Sequence, residues 1–418
     1  MRHFAFVLIL ASTTFNAGAD SSKQAVMSGY PPARDSQVTA FNYGVYPNSQ
    51  WAFHHIPSVL NVAMIPRGGP INTLESKSHD GFAHLNALFE ENYADGLAIM
   101  HNDKIIHEKY FGSFDASAHH IWYSMTKSLV STAFGILVHD KDIDLDKSPA
   151  DFIPELKNSG WDRVTLQQVL DHSTAIDFQE NYTDPESEFA RYYAPALNML
   201  PLPGSRDADP ASTEIYGAYD FLARFIKPRK DQKPGEVFDY NSSNTDVLGW
   251  LISRISNMSL ERYLATHIWS KLGAEHDATI IVDRALMPVA AGGMNSTLRD
   301  ALRFAQMILN RGRSGDQQLV SREWVDATLE IDDGYKNRMA NNGRYESGPW
   351  QAYKNMWWIL DSEAGEYAAS GVFGQVIYVN RSKNVAAAWF SSQPTASSVV
   401  SPSYHVKMDA VRKAVGAL

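Results

Sequence analysis

The 418-residue sequence contains no cysteine. A chain without thiols forms no disulfide and no thiolate metal site, and it has no cysteine to carry a lipid anchor. No His-Glu-x-x-His motif is present, and the adjacent histidines at 54–55 and 119–120 point apart in either a strand or a helix. We therefore expect neither a bound metal nor a cofactor.

Long apolar runs and basic clusters are also missing. No stretch reaches the roughly 18 to 20 apolar residues that span a bilayer, so we expect no stable membrane insertion. The formal net charge is −10 and the pI is about 5.8. Because an acidic chain without a basic cluster repels phosphate backbones, nucleic acid is not an expected partner. Nothing in the sequence indicates an oligomeric state.

The N-terminus has a three-part pattern. A short basic start is followed by an apolar run at 4–11 and by the small residues Ala17-Gly18-Ala19. This pattern is typical of a secretory signal peptide, here residues 1–19, removed before Asp20. A buried N-terminal helix is the alternative. The favoured interpretation predicts an exported protein, located in a periplasm or secreted.

The rest of the chain divides into three kinds of sequence. Residues 20–80 are rich in Pro, Gly, Ser and Asn, which predicts an irregular segment. Paired apolar runs around the turns at 101–104 and 381–383 predict two β-hairpins. Helical spacing appears at 124–141, at 297–312 and near the C-terminus, roughly Tyr404 to Val415.

These elements predict an α/β (α+β) fold for residues 81–418. We expect a central antiparallel sheet built from distant segments and flanked by helices. Residues from about 145 to 285 show mostly helical patterns interrupted by loops. They are expected to form a helical lobe inserted in the sheet domain.

Ser124 and Lys127 are the first candidates for chemistry. Residues three apart share one face of a helix, and the free N–H groups of a first helical turn favour negative charge there. A serine hydroxyl is a poor nucleophile until a base accepts its proton, and a lysine can do so only if its pKa is strongly lowered. The alternative is an N-cap serine beside a solvated lysine. Ser-x-x-Lys is too short a pattern to decide by itself.

Tyr240 is the second candidate, because it stands just ahead of an amphipathic helix that is predicted to start near Thr245. A tyrosine held close to a lysine or a helix end can relay a proton between a serine and a leaving group. A tyrosine that only packs in the core is the alternative.

Five ordered blocks carry a family resemblance over about 300 residues. They are YSMTKS (123–128), LQQVLDHSTAID (166–177), FDYNSSNTDVLGW (238–250), AAGGMNSTLRDALRFAQMILNRG (290–312) and WWILDSEAGEYAASGVFGQVIYV (357–379). Together they resemble the serine β-lactamase and penicillin-binding-protein superfamily, in its class C β-lactamase-related branch. WAFHHI (51–56), the Tyr-x-Ser block and the Gly-x-x-Gly-Gln ending look most like the subgroup of 6-aminohexanoate-dimer hydrolases. The resemblance implies a β-lactamase/transpeptidase-like fold.

The resemblance also implies roles for individual residues. Ser124 would be the acyl-accepting nucleophile, Lys127 its activator and Tyr240 the proton relay to the leaving group. The backbone N–H groups of Ser124 and Val372 would form the oxyanion hole, which needs two preorganised donors. His172, in the second block, is interpreted as structural.

Several further positions are implied to contact substrate. Tyr182 and Asn295 stand where the subgroup has substrate-contacting residues; a plain loop aromatic and a helix N-cap are the alternatives. The other implied substrate-binding positions are Ser242, Ser370 and Gly371.

Two departures from the family pattern narrow the substrate. Penicillin-recognising members carry Tyr-x-Asn, but here the third position is Ser242, and Asn244 comes two residues late. They also carry Lys-Thr-Gly on the last catalytic strand, where this chain has Ala369-Ser370-Gly371. The lost ammonium would remove a contact of about 1.5–3 kcal/mol to the β-lactam carboxylate.

The predicted function is therefore hydrolysis of short carboxylic esters or small linear amides through an acyl-Ser124 intermediate, with a small ester or amide as the partner molecule. A peptidoglycan D-peptidase or β-lactamase-type enzyme is one alternative, and a catalytically silent binding protein on the same fold is another. No Gly-x-Ser-x-Gly motif occurs, which argues against an α/β-hydrolase.

Overall fold

The fold is described by a computed structural model that covers residues 62–69, 74–76, 82–181, 184, 186–197, 215–345 and 348–418. The predicted signal peptide, residues 1–19, lies outside the described residues and stays a prediction. Most of the segment 20–80 lies outside them too.

The described residues form thirteen β-strands. They are β1 Val62–Ile65, β2 Ala94–His101, β3 Lys104–Tyr110, β4 His120–Ile121, β5 Ala278–Ile281, β6 Met294–Ser296, β7 Arg313–Ser314, β8 Gln317–Gln318, β9 Ala352–Lys354, β10 Trp357–Asp361, β11 Glu366–Gly371, β12 Gln375–Asn380 and β13 Val385–Ser391.

The described residues also form twelve α-helices. They are α1 Leu85–Glu91, α2 Met125–Lys141, α3 Pro149–Phe152, α4 Leu166–Leu170, α5 Ala194–Ala196, α6 Ala218–Arg224, α7 Ser243–Ser256, α8 Leu260–His267, α9 Leu298–Leu309, α10 Arg322–Ala327, α11 Asp333–Ala340 and α12 Pro402–Gly416.

A seven-stranded antiparallel sheet lies at the centre, with the strand order β3-β2-β13-β12-β11-β10-β9. Both predicted hairpins are confirmed, as β2–β3 and β12–β13. They meet because β2 pairs with β13, with Ile99 opposite Ala387. The predicted fold class, an antiparallel sheet assembled from distant segments and flanked by helices, is therefore confirmed.

A smaller sheet has the order β1-β5-β6-β4. Strand β1 lies inside the segment 20–80, which was predicted to be irregular, so the structure corrects that prediction at Val62–Ile65. The four-residue run is too short for a strand pattern to be recognised in the sequence. Its partner is β5, more than 200 residues later, with Ile65 opposite Ala278.

Helix α2 carries the candidate serine and lysine and is enclosed by the protein. Every residue from Met125 to Leu137 is buried. A helix that is buried on all sides belongs to the core and not to the surface. The helix packs against α7, which contains most of the FDYNSSNTDVLGW block, and against β11.

The region that was predicted as a helical lobe, residues 145–285, is helical in its regular described elements from Pro149 to Lys271. The later part differs, because Ala278–Ile281 is strand β5 of the smaller sheet. Within the part of the chain that the structure describes, no helix is both long and apolar enough to cross a membrane.

Candidate active site

Ser124 lies at a sharp turn between β4 and α2. The Trp122 N–H donates to the Met294 carbonyl at 2.8 Å, which fixes the end of β4. Tyr123 then takes a left-handed φ of 46°, a conformation that non-glycine residues adopt mainly at strained or functional positions. Ser124 is the N-cap of α2, but its side chain makes no capping hydrogen bond. The alternative interpretation, an N-cap serine, would require its hydroxyl to cap the helix, and the hydroxyl does not do so.

Lys127 is buried beside that hydroxyl and is not solvated. Only 1% of Lys127 is exposed to solvent. Its Nζ donates to Ser124 Oγ at 2.8 Å and to the Ala291 carbonyl at 2.6 Å. Burial lowers the pKa of Lys127 to about 8, while the carboxylates of Glu180 and Asp246 raise it. A lysine with this pKa is partly neutral near physiological pH, so it can accept a proton.

Tyr240 completes the group of three. Its hydroxyl interacts with the Ser124 side chain, which opposes part of the rise in the pKa of Tyr240, and the Lys127 Nζ lies 5.2 Å from the centre of its ring. The ring stacks on Trp358, with 5.6 Å between centroids and 17° between planes. Burial raises the pKa of Tyr240 well above 10. Tyr240 is therefore a neutral phenol at physiological pH, which suits proton relay and not the role of the base.

The residue after Tyr240 is held by the 171–178 loop. Asn241 N–H donates to His172 Nδ1 at 3.0 Å, and the Asn241 side-chain amide donates to the Phe178 carbonyl at 2.7 Å. The His172 ring also lies 5.0 Å from that of Tyr240. Burial and the Lys127 charge lower the pKa of His172 well below 6.5, so it stays neutral while it supports Tyr240.

Val372 reaches the serine because of a close approach at the residue before it. A Cβ atom at Gly371 would lie 2.3 Å from the Trp122 carbonyl oxygen, so only glycine lets the end of β11 lie against the turn before Ser124. The chain then turns through Val372–Gly374, with Phe373 at a φ of 63°. Val372 and Ser124 consequently line the same cavity, and the oxyanion hole formed by their N–H groups stays a prediction.

A small cavity of about 40 Å³ opens on Ser124. Its lining is mostly apolar and, among the described residues, includes no charged side chain. The lining residues are Tyr123, Ser124, Phe189, Tyr193, Leu197, Ser242, Val289, Ala291, Gly292 and Val372.

The predicted substrate contacts divide between those inside this cavity and those outside it. Ser242 lines the cavity, and its backbone N–H donates to Glu180. Ser370 does not line it; its hydroxyl shares a hydrogen bond of 2.7 Å with the Tyr404 hydroxyl. Gly371 lies against Trp122, as described above. Tyr182 lies outside the described residues.

Asn295 differs from both of its interpretations. It is fully buried in β6, and its amide donates to the Gly293 carbonyl at 2.8 Å. It does not line the cavity, and the N-cap of α9 is Thr297, whose hydroxyl accepts from the Asp300 N–H. The structure therefore gives Asn295 a place in the smaller sheet, because its strand pairs with β4 and β5.

Sequence reasoning missed Asp246 and Tyr193. Asp246 lies in the first turn of α7, is 1% exposed, and accepts hydrogen bonds from the Ala291 N–H at 3.0 Å and from the Tyr193 hydroxyl. The signal available in the sequence was an acidic residue one helical turn after Ser242, on a face that must be buried. Within the described part of the chain, no three His, Asp or Glu residues are grouped so that they could hold a metal ion.

Known proteins resemble this chain in sequence and in fold. The model of the beta-lactamase family matches residues 85–407. A 6-aminohexanoate-dimer hydrolase from Paenarthrobacter ureafaciens is 32% identical over 356 residues, which are 84% of this chain and 87% of that protein.

Solved structures agree in fold. A Bacillus anthracis protein assigned as a 6-aminohexanoate-dimer hydrolase aligns with a TM-score of 0.75 at 24% identity, over 93% of this chain and 99% of its own. A family VIII carboxylesterase aligns with a TM-score of 0.57 at 15% identity, over 81% of this chain and 98% of its own.

Proposed function

Because the chain belongs to the beta-lactamase family, as a serine hydrolase of that fold, we propose that it cleaves short carboxylic esters or small linear amides through an acyl-Ser124 intermediate. The observation that carries this proposal is the buried contact of 2.8 Å between Lys127 Nζ and Ser124 Oγ, beside an uncharged cavity. In this proposal Ser124, Lys127, Tyr240 and the backbone N–H of Val372 keep the roles that the family resemblance implies for them.

The proposed reaction begins with the neutral form of Lys127. Its Nζ takes the proton from Ser124 Oγ as that oxygen attacks the substrate carbonyl carbon. The tetrahedral oxyanion accepts hydrogen bonds from the backbone N–H groups of Ser124 and Val372. The Tyr240 hydroxyl donates a proton to the leaving oxygen or nitrogen and is reprotonated from the Lys127 ammonium. Water then attacks the acyl-serine by the same steps in reverse.

Cavity size and charge support the substrate class. A cavity of about 40 Å³ holds only a few heavy atoms, which favours a short acyl group. No described cation lines it, and the last catalytic strand has Ala369-Ser370-Gly371 in place of an ammonium-bearing triplet. A β-lactam or a D-alanine terminus would bring a carboxylate to this side without a partner.

The alternatives account for less of the site. A D-peptidase or β-lactamase needs a cation for that carboxylate. A silent binding protein needs no lysine with a lowered pKa in contact with a serine and a tyrosine. The Paenarthrobacter relative is named a 6-aminohexanoate-dimer hydrolase, so that dimer belongs in the substrate panel.

The test is intact-protein mass spectrometry after exposure to a fluorophosphonate probe. We expect a single adduct on wild type, no adduct on Ser124→Ala, and an unchanged adduct on Ser131→Ala. Ser131 is the matched control, since it lies on the same helix and its hydroxyl donates to the Asn355 carbonyl at 2.7 Å. No adduct on folded wild type would favour the silent binding protein.

Substrate class is then tested with p-nitrophenyl acetate and butyrate, 6-aminohexanoate dimer and nitrocefin. We expect turnover of the esters or the amide dimer to exceed that of nitrocefin. A clear preference for nitrocefin would overturn the argument from the missing cation.

A further inference from the structure

A buried carboxylate, that of Asp246, acts electrostatically on Lys127. We propose that Asp246 is a positioning residue, which holds Lys127 against Ser124 through the backbone of Ala291, and that Tyr193 connects it to the wall of the substrate cavity. The inference rests on the proposed function in one respect, namely that Lys127 is the base.

The connection runs through one residue, Ala291. Its carbonyl accepts from Lys127 Nζ at 2.6 Å, and its N–H donates to Asp246 Oδ1 at 3.0 Å. The position of the base therefore depends on where the 289–293 turn is held. The turn is also held by its own backbone, since the N–H groups of Gly292 and Gly293 both donate to the Val289 carbonyl, at 3.3 and 2.9 Å.

Asp246 is itself fixed by its helix and by Tyr193. It stands in the first turn of α7, where the positive end of the helix dipole favours a carboxylate. The Tyr193 hydroxyl donates to its second oxygen, Oδ2. The Tyr193 ring is fully buried and packs on Phe178 and Phe221, with ring centroids 5.3 and 5.1 Å away.

Tyr193 also belongs to the cavity wall. It ends the π-helical turn Phe189–Tyr193, and both of those residues line the cavity beside Ser124. A substrate acyl group that contacts Tyr193 therefore contacts the side chain that donates to Asp246. The carboxylate thus connects the cavity wall to the base through three hydrogen bonds, from Tyr193 to Asp246, from the Ala291 N–H to Asp246 and from Lys127 to the Ala291 carbonyl.

The charges around the base give the carboxylate a measurable signature. The ionisable groups that face Lys127 are the carboxylates of Asp246 and Glu180, the imidazole of His172 and the phenol of Tyr240. The two carboxylates favour the ammonium form and so raise the pKa of Lys127. Removing the charge of Asp246 must lower that pKa further, which moves the onset of activity to lower pH.

Tyr193 affects the base by changing the pKa of Asp246. The groups that act on its carboxylate are Tyr193, Lys127 and Glu180, with Asp283 and Tyr219 also within electrostatic range. Burial raises the pKa of Asp246, and the hydrogen bond from Tyr193 opposes that rise. Without the hydroxyl, Asp246 is neutral over a wider pH range, so its effect on Lys127 weakens in the same direction as in Asp246→Asn.

The experiment measures the second-order rate of fluorophosphonate labelling of Ser124 from pH 5 to 10, in the full-length protein. In wild type the rate rises with pH as Lys127 loses its proton. Asp246→Asn keeps an acceptor for the Ala291 N–H but loses the charge. We expect its acidic limb to move down by about one pH unit, with a plateau about tenfold lower. Tyr193→Phe should move the limb in the same direction by a smaller amount.

Matched controls separate this role from a general loss of stability. Asp283→Asn removes another buried carboxylate, which accepts from the Ala218, Ala285 and Met287 N–H groups, and Tyr263→Phe removes another buried phenol hydroxyl. Both controls should leave the acidic limb where it is in wild type.

An unmoved limb in folded Asp246→Asn would overturn the inference, and if that variant does not fold, an unmoved limb in Tyr193→Phe would do the same. Failure of the proposed function looks different, because wild type itself would then show no labelling or no pH dependence.

Discussion

Lys127 and Lys407 are both buried against a serine hydroxyl, yet their surroundings differ. Lys127 Nζ lies 2.8 Å from Ser124 Oγ, and Lys407 Nζ lies 2.6 Å from Ser391 Oγ. Burial lowers the pKa of Lys127 to about 8 and that of Lys407 to about 7. By distance and pKa alone, the second pair would be as well suited as the first to act as nucleophile and base near neutral pH.

Access separates the two pairs. Ser124 is half-buried at the start of α2 and lines a cavity together with Val372. Ser391 is 1% exposed within β13, where its backbone N–H donates to the Gln375 side chain at 2.9 Å and its carbonyl accepts from that side chain at 2.6 Å. A substrate carbonyl can approach the first serine and not the second.

The partners of the lysines differ in the same sense. Lys127 shares its site with Tyr240, the proposed proton relay. Lys407 instead donates to the Asn92 carbonyl at 2.8 Å, which ties α12 to the end of α1. A short Ser–Lys contact with a lowered pKa is therefore compatible with a purely structural role, and the pair proposed to be catalytic differs from it in lining a cavity and in having Tyr240 beside it.

The largest expected effect comes from exchanging each lysine for methionine. Lys127→Met should lower kcat/KM for p-nitrophenyl butyrate by about 10³-fold, because the serine loses its base. Lys407→Met should stay within about threefold of wild type, since no substrate reaches Ser391. Activities are compared at one pH, after circular dichroism has shown that both variants are folded. Equal losses in the two variants would remove the distinction between the pairs.

An intermediate effect is expected from a second matched pair, two buried tyrosines whose hydroxyls interact with serines. Tyr240 interacts with the Ser124 side chain, and Tyr404 shares a hydrogen bond of 2.7 Å with the Ser370 hydroxyl. Tyr240→Phe should slow hydrolysis of an amide by about 10²-fold, because an amine leaves only when it is protonated. The loss on p-nitrophenyl esters should be smaller, since nitrophenolate leaves without a proton.

Tyr404→Phe serves as the control, and it should leave both activities within about threefold of wild type. If Tyr240→Phe slowed the ester and the amide equally, Tyr240 would act on serine activation and not on the leaving group.

Much of the fold could be predicted because its signals are local. The two hairpins show paired apolar runs around polar turns, and α2, α9 and α12 show helical spacing. Helix α7 begins at Ser243, close to the predicted start near Thr245. The contact of Ser124 with Lys127 follows from their spacing of three on a helix, and the structure brings Tyr240 to the same place.

What could not be predicted depends on contacts between distant segments. Strand β1 exists because of its pairing with β5, and Asn295 is enclosed by the smaller sheet and not presented to the cavity. Lys407 and Lys413 stand on the same helix, and nothing in the neighbouring residues shows that only the first is buried. Asp246 gave a weak signal, which became meaningful only when the structure placed Ala291 beside it.

The smallest expected effect concerns stability and sharpens the comparison of the two lysines. The native pKa of Lys407 is about 7, whereas an unfolded lysine has a pKa of about 10.4. Between these values the unfolded state binds the proton and the native state does not, so the free energy of unfolding rises with pH by about 1.4 kcal/mol per unit. Below about pH 7 both states are protonated and this dependence ends.

Lys407→Met should therefore lose about 2 kcal/mol of the gain in unfolding free energy that wild type shows between pH 8 and 9.5. Urea titrations at the two pH values measure the gain, and Lys413→Met, which changes an exposed lysine of the same helix, should keep it. Lys127 contributes to the gain in all three proteins and cancels in the comparison. If Lys407→Met kept the whole gain, Lys407 would be charged in the folded protein, and the two buried lysines would differ in protonation as well as in access.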